Sequence, residues 1–434
     1  MDPANLLTKR HWIVELARRK PGGVLFSLSH VIDFEWMREA YWLTRKDGAT
    51  GIDGATAADY EANLETNLKD LRERIMSGRY KAPPVRRTYI PKADGSQRPL
   101  GIPTFEDKVA QRAIAMVLEA VYEQDFLSCS YGFRPGRSAH QALRGLRGAI
   151  MSRQHWVLDV DIRKYFDSIP HAALRAILDQ RVTDGIVRRM IDKWLNAGVL
   201  EEGLLHFAIE GTPQGGVISP ILSNIFLHHV LDVWFEKEVR PRLSGEASLV
   251  RFADDFVMTF ETYHDAQRVL EVLGKRLGRY GLTLHPDKTR FIDFRPDRRG
   301  GAPADCKDLA FDFLGFTHAW AKSRKGKNVV RQTTAKSRLA RALVAVADWC
   351  RTNRHLPILD QFARLSAKLV GHFAYYGITG NVWQLGRYRQ QVMKTWHKWL
   401  RRRTRDKRPL WDRFNAFLAR HPLPRARITH RYVS

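Results

Sequence analysis

Two adjacent carboxylates, Asp254 and Asp255, interrupt an otherwise apolar run, LVRFADDFVMTF at 249–260. Burying such a pair is costly unless it is paired or holds a cation. A second run, QHWVLDVDIRKYFDSIP at 154–170, puts Asp159 and Asp161 on one face of a strand-like segment. An aspartate at the end of one buried strand and two more on a nearby hairpin make a cluster of oxygen ligands. That set suits hard divalent cations, Mg²⁺ above all. Two such ions, roughly 3.5–4 Å apart, clamp the attacking and leaving oxygens of a phosphoryl transfer. Taken alone, Asp254–Asp255 also fits a turn exposed to water; the third carboxylate tips the balance.

Several elements must position these groups. The flanks of the aspartate pair are β-branched and aromatic, as in two short buried strands. Consecutive side chains on a strand point to opposite faces, so two carboxylates serving one site need a tight hairpin at 253–255. Upstream, residues 1–45 suggest helix with a loop at 20–23, followed by a glycine-rich turn at 46–55. The spacing of Leu64, Leu68, Leu71 and Ile75 predicts a helix over 60–77 with Gly78 as its C-cap. RRTYIPKADGSQRPLGIP at 86–103 suggests two strands joined by a turn at 93–96, flanked by Lys92 and Arg98. Helices are expected at 104–122 and 220–235, and a polar loop at 295–307. After a basic linker, KSRKGKN at 322–328, the chain is expected to be helical, with stripes Leu339/Leu343/Val346/Trp349 and Leu365/Leu369/Phe373/Tyr376. Most aromatics of the series Trp383, Tyr388, Trp396, Trp399, Trp411 and Phe414 suit a bundle core.

The 434 residues imply two or three packed units, and the net charge of +26 implies a polyanionic partner. The charge is concentrated: residues 331–434 hold 23 Lys and Arg against four Asp and Glu. Aromatics alternate with these cations, which favours nucleic acid over a membrane surface. Cys129, Cys306 and Cys350 are far apart, with no CxxC pair, which argues against zinc knuckles and disulfides. No run of 18 apolar residues exists, so a soluble, cytoplasmic protein is expected, with no membrane partner.

RFADDF, DVDIRKYFD at 159–167 and GTPQGGVISPILSN at 211–224 resemble the palm motifs of reverse transcriptases, in the version of bacterial group II intron-encoded proteins. YGFRPGRS at 131–138, GLTLHPDKTRF at 281–291 and FDFLGFT at 311–317 continue the resemblance in order. Pro220 departs from the diversity-generating relatives, which usually carry Gln there. The resemblance implies an α+β, right-hand polymerase fold with a small antiparallel palm sheet, followed by an α-helical thumb/maturase domain. It implies an N-terminal helical segment and fingers extension at 1–80, fingers and palm at 81–325, and a basic helical thumb/maturase domain at 326–434. With no CxxC pairs or HNH-like cluster at the end, the C-terminal endonuclease domain of some members is expected to be lacking.

Carried over residue by residue, the resemblance makes Asp161, Asp254 and Asp255 the catalytic metal ligands, with the backbone carbonyl of Ile162 as a further one. Two Mg²⁺ are implied, with Mn²⁺ as a substitute. Asp159 is left a supporting role. Lys92 and Arg98 are expected to grip the triphosphate of the incoming dNTP, Gln214 to hydrogen-bond the nucleotide, and Lys288 to lie near the leaving pyrophosphate. Phe166 is expected to occupy the space of a ribose 2′-hydroxyl. Leu314 and Gly315 correspond to the primer grip. Arg134 and Arg137 suit template phosphates, or else brace a loop. Arg401, Arg402, Arg403 and Arg405 are too polar for a core and suit RNA.

These expectations amount to an RNA-directed DNA polymerase that binds group II intron RNA and a DNA primer or target, in splicing and mobility. It is expected in the bacterial cytoplasm, at the nucleoid during DNA insertion, with its oligomeric state open. Two other roles remain open: a domesticated reverse transcriptase in phage defence or DNA repair, and an RNA-binding splicing factor without polymerase activity.

Overall fold

The computed structural model describes residues 3–91, 95, 97–201, 204–206, 211, 215–296, 310–403 and 410–432. The chain forms two compact units: Met1–Ala142 with Leu158–Arg290, and Leu143–Val157 with Phe291–Ser434.

The first unit begins with α1 (Pro3–Arg19) and α2 (Phe34–Leu43), the latter capped by Asp33, whose carboxylate accepts from the Trp36 amide. The loop between them is longer than the four residues expected. Arg181 holds the carbonyls of Lys20 and Gly23, and Asp184 accepts from the amides of Leu28 and Ser29 at 2.7 and 2.9 Å, so side chains take the place of helix. The single helix expected over 60–77 is two: α3 (Ala57–Glu61) and α4 (Leu64–Met76). A Thr56–Asp59 capping box starts the first early, and Gly78, at φ +79°, follows the second.

Strands β1 (Val85–Pro91) and β2 (Gln97–Ile102) form the expected hairpin, with Ile90 opposite Arg98. Next come α5 (Phe105–Tyr122), started by a Thr104 cap and buried along most of its length, and α6 (Ala139–Met151), most of which belongs to the second unit. β3 (Trp156–Val160) is the strand of the first aspartates; α7 (His171–Asp179) and α8 (Gly185–Leu195) follow it. The short strands β4 (Val199–Glu201) and β5 (Leu204–His206) complete a sheet in the order β2-β1-β4-β5. α9 (Ser219–Leu227) starts the helix expected at 220–235. Beyond Leu227 the helix continues but widens to i→i+5 bonding at His228–Asp232 and again at Phe235–Val239. β6 (Ala247–Phe252) and β7 (Asp255–Phe260) form an antiparallel hairpin, covered by α10 (Tyr263–Gly278). With β8 (Arg290–Asp293) they complete a sheet in the order β6-β7-β3-β8. The apolar residues of β7, Phe256 to Met258 and Phe260, are all buried.

In the second unit, β9 (Ala310–Phe313), β10 (Phe316–Lys322) and β11 (Asn328–Thr334) form a meander. The stretch at 322–328 expected to be a linker is therefore the turn of the β10–β11 hairpin, with Gly326 at φ +74°. Helix begins only at α11 (Lys336–Thr352), followed by α12 (Ile358–Tyr376), α13 (Val382–Arg401) and α14 (Leu410–Arg420). Val346, Leu365, Leu369, Phe373, Tyr388, Trp396 and Phe414 share one core, so most of the aromatic series packs inward. Trp399 packs against that core, whereas Trp383 and Trp411, 69% and 40% exposed, do not belong to it.

Candidate active site

The β6–β7 hairpin closes on two residues, Ala253 and Asp254, with Phe252 paired to Asp255. Ala253 takes φ +58°, the left-handed value that a tight two-residue loop demands at its first position. The expected turn thus exists, with the two aspartates at and beside its tip. Burial raises the pKa of Asp254, and the negative charge of Asp161 raises it further, while its own backbone, Arg98 and Arg251 pull it down. Asp255 heads β7 and is exposed.

Asp161 follows β3, and its carbonyl accepts from the His285 amide at 2.8 Å. Lys288 Nζ stands 3.5 Å from Asp161 Oδ2. Ile162 is buried and bridged to Leu284. Asp159 is bound by Arg290 at 2.6 Å, which gives it the supporting place expected. Among the described residues no three His, Cys, Asp or Glu side chains close on a common point. The donor set still fits a divalent cation: Asp254 is half-buried and within electrostatic reach of Asp161, and hard carboxylate oxygens are the ligands such an ion takes.

Two glycines of the 211–224 motif pass close to other backbone. Gly211 donates to the Ile169 carbonyl at 2.8 Å, and a Cβ there would meet Asp167 at 3.1 Å and the Phe166 carbonyl at 3.2 Å. Gly215, at φ +108°, passes the Gly101 carbonyl of β2 so closely that a Cβ would lie 2.7 Å from it. Phe166 is half-buried in a 3₁₀ turn, edge-on to Tyr165 at 5.2 Å. Arg98 is exposed, within electrostatic reach of Asp254. Lys92 and Gln214 lie outside the described residues.

The 131–138 loop braces the hairpin. A Cβ on Gly132 would fall 2.3 Å from the Ala253 amide nitrogen, so only glycine fits. Arg134 does not face outward. Its guanidinium is buried, bound to Glu123 at 3.0 Å and to the carbonyls of Leu127 and Ser130 at 2.7 and 2.8 Å. Of its two sequence readings, the loop brace is the one its side chain adopts. Arg137 is exposed and lies over the Tyr131 ring at 5.7 Å.

Residues 90–318 match the family described as reverse transcriptase (RNA-dependent DNA polymerase). The chain belongs to this family. It is 40% identical to Protein YkfC of Escherichia coli over 338 residues, covering 69% of this chain and 84% of that one. It is 39% identical over 189 residues to the group II intron-encoded protein LtrA of Lactococcus lactis, covering 42% of this chain and 31% of LtrA. It is 27% identical over 213 residues to nuclear intron maturase 4 of Arabidopsis thaliana, 49% of this chain and 25% of the relative. The chain thus spans less than a third of those two intron proteins. The reverse transcriptase fold here is mixed α and β, with small, largely antiparallel sheets and helices. No helix among the described residues is long and apolar enough to cross a membrane.

In this member of the family the sequence motifs also concealed a residue. Arg251, in β6, is 0% exposed, as is Asp232 in the widened helical turn. Arg251 Nε and Nη2 donate to the Asp232 carboxylate at 2.7 and 2.6 Å. Its remaining donors reach Ser130 Oγ at 2.8 Å, and Asn224 Oδ1 and the Ala253 carbonyl at 2.9 Å each. A cation inside an apolar strand and an acid inside an apolar helix were the signals available.

In the second unit, Leu314 and Gly315 form the β9–β10 turn, both with positive φ. The Tyr375 hydroxyl donates to the Leu314 carbonyl at 2.9 Å, fixing the turn against α12. Arg401, Arg402 and Arg403 are exposed at the end of α13, Arg402 lying 4.7 Å from the Trp399 ring. Arg405 lies outside the described residues.

Proposed function

We propose that this chain is an RNA-directed DNA polymerase of the right-hand type, with fingers and palm at 81–325 and a thumb/maturase region at 326–434. The observation that carries this reading is the tight β6–β7 hairpin that puts Asp254 and Asp255 at and beside its tip, within the stretch that matches the reverse transcriptase family. Asp161, Asp254 and Asp255, with the Ile162 carbonyl, would hold two Mg²⁺ or Mn²⁺. When bound, such ions activate a primer 3′-hydroxyl and neutralise a triphosphate.

The chain's own residues do the rest. Arg98, with Lys92, grips the triphosphate; an arginine fork can hold two phosphate oxygens at once. Gly211 and Gly215 let backbone approach the nucleotide, beside Gln214. Phe166 excludes a 2′-hydroxyl, Lys288 meets the leaving pyrophosphate, and Leu314–Gly315 supports the primer end.

The biological role we propose is binding of group II intron RNA in splicing and mobility. Similarity to LtrA and to the plant maturase supports it, as does the cationic 331–434 segment. The test is primer extension on an RNA template with Mg²⁺. Asp254→Ala and Asp255→Ala should each abolish extension while RNA affinity stays within about tenfold, because phosphate contacts lie elsewhere. DNA synthesis by either variant at the wild-type rate refutes the site. Sequencing the RNA that copurifies tests the intron role; absence of any intron RNA refutes it.

A further inference from the structure

A guanidinium carries five N–H donors in a rigid fork. In Arg251 all five have acceptors, and the acceptors come from four separate places: Asp232, Asn224, Ser130 and the tip carbonyl of Ala253. The backbone of Arg251 is tied as well. Its amide donates to the Cys129 carbonyl at 2.8 Å, and its carbonyl accepts from the Tyr131 amide at 2.9 Å. Asn224 Nδ2 closes the loop by donating to the Gly132 carbonyl at 2.7 Å, at the glycine that abuts Ala253.

The helix is deformed where it meets this arginine. Asn224 and Asp232 are eight residues apart. In an α-helix that is about 2.2 turns, which leaves the two side chains about 80° apart around the axis. Bonding i→i+5 over His228–Asp232, with the Val233 amide on the His228 carbonyl, puts more residues into each turn. The extra residue brings Asp232 round toward the face of Asn224, and both reach one guanidinium. Such widened turns are uncommon and gather at functional sites. A buried ion pair is also a poor source of stability compared with apolar packing of the same volume. Both features point to geometry rather than stability as their use.

We propose that Arg251, gripped by Asp232 across the widened turn, is a positioning residue that fixes the Ala253–Asp254 peptide and so holds Asp254 opposite Asp161. The Ala253 carbonyl belongs to the peptide unit that carries the Asp254 amide, so anchoring it sets the direction in which Asp254 leaves the hairpin. This inference rests on the polymerase reading of the same carboxylates.

The test uses the full chain with two replacements. Arg251→Met combined with Asp232→Leu removes both charges and strands neither. Arg251→Lys keeps a charge opposite Asp232 but loses the fork. The readouts are Tm, hydrogen exchange of the amides at 252–256, Mn²⁺ affinity by electron paramagnetic resonance, and single-turnover extension. In a double variant whose Tm stays within about 4 °C of wild type, hairpin exchange should accelerate, and Mn²⁺ affinity and extension rate should each fall by about tenfold or more. Primer–template affinity should not change. The lysine variant should behave alike; rescue by lysine means that charge alone matters and overturns the proposal. Wild-type exchange and Mn²⁺ affinity in a folded double variant also overturn it. If neither variant folds, the pair is structural and the proposal fails. A wild-type protein that binds Mn²⁺ yet extends no primer sinks the polymerase reading alone, because exchange and Mn²⁺ affinity still decide the role of Arg251.

Discussion

Lys288 Nζ stands 3.5 Å from Asp161 Oδ2, so the carboxylate that follows β3 already has a cation beside it. Lys288 is more than half exposed, and an exposed pair of this kind adds little stability. Under the proposed polymerase reading, Lys288 would instead face the leaving pyrophosphate once the Asp161 carboxylate was engaged by a divalent ion. Lys288→Ala should lower the single-turnover rate by about a hundredfold, the usual scale of a lost proton donor, with RNA affinity unchanged. Lys288→Arg should recover part of the rate. A rate close to wild type in the alanine variant would assign the lysine to the surface.

Asp254 gives a stability prediction with a definite sign. Burial first, then Asp161, raises its folded pKa above the ordinary value. A carboxyl raised in the folded state favours folding while protonated, and that contribution is lost as pH rises through the folded pKa. At neutral pH the charged Asp254 therefore destabilises the metal-free protein. Asp254→Asn should melt higher than wild type at pH 8 without metal, and the gap should close in acid. Mg²⁺ should raise the Tm of wild type more than that of the variant. Thermal melts at two pH values, with and without Mg²⁺, check both statements.

Another carboxyl, fully buried, tests the same logic with a larger shift. Asp107 accepts from the Tyr80 hydroxyl and Trp194 Nε1 at 2.6 Å each, and from Gln111 Nε2 at 2.9 Å. Burial, aided by the charge of Glu106, outweighs these bonds and raises its pKa to about 6. Its contribution is thus fully present below its ordinary value and is lost as pH rises through about 6. Relative to Asp107→Asn, wild type should lose on the order of 2–3 kcal/mol in urea unfolding between pH 4 and pH 7. A difference that does not vary with pH would mean that the carboxyl is ionised throughout.

How legible these features were depends on how far apart in sequence the deciding partners lie. The aspartate hairpin was legible because its flanks and its turn are contiguous: apolar strands on both sides leave the carboxylates nowhere but the tip. The α5 helix was legible for the same reason, its cap and its apolar spacing being local. The place of Arg134 was not, because a guanidinium is buried or exposed according to a partner, here Glu123 eleven residues earlier. Arg251 and Asp232 are nineteen residues apart, and the helical turn that brings them together has no periodicity of its own in the sequence. The basic stretch at 322–328 was misassigned because its charge hid a turn. The strands it joins bury His318 against Gln332 at 2.8 Å, a polar pair that an apolar pattern does not reveal.

Phe166 bears on sugar choice. The ring sits half-buried beside Tyr165, in a turn entered through Lys164 at φ +48°. If the ring fills the place of a 2′-hydroxyl, Phe166→Ala opens that space and should admit rNTPs. The ratio of dNTP to rNTP incorporation efficiency should fall by about tenfold or more, a difference of about 1.4 kcal/mol in transition-state binding. Phe166→Tyr, which keeps the ring, should preserve most of the discrimination. An active alanine variant with an unchanged ratio assigns the sugar check to another residue.

The arginines at the end of α13 bear on RNA. Arg401, Arg402 and Arg403 are exposed, and the second unit's core lies in Leu365, Leu369, Phe373 and Trp396, so these three side chains add little packing beyond the stacking of Arg402 on Trp399. Arg403 does donate to the Leu356 carbonyl at 3.2 Å, a surface contact that costs little to remove. If the cluster, with Arg405, neutralises RNA phosphates, each contact adds a slope of about −0.7 to −0.9 in log affinity against log salt. Replacing all four with glutamine should then flatten that slope by as much as about 3 and weaken binding most at low salt. Short-primer extension at low salt should fall less than intron RNA binding, because the carboxylates of the first unit are untouched. A salt titration of RNA affinity, run beside the extension assay, separates the two effects. Equal slopes for wild type and the fourfold variant would show that these arginines face solvent and nothing else.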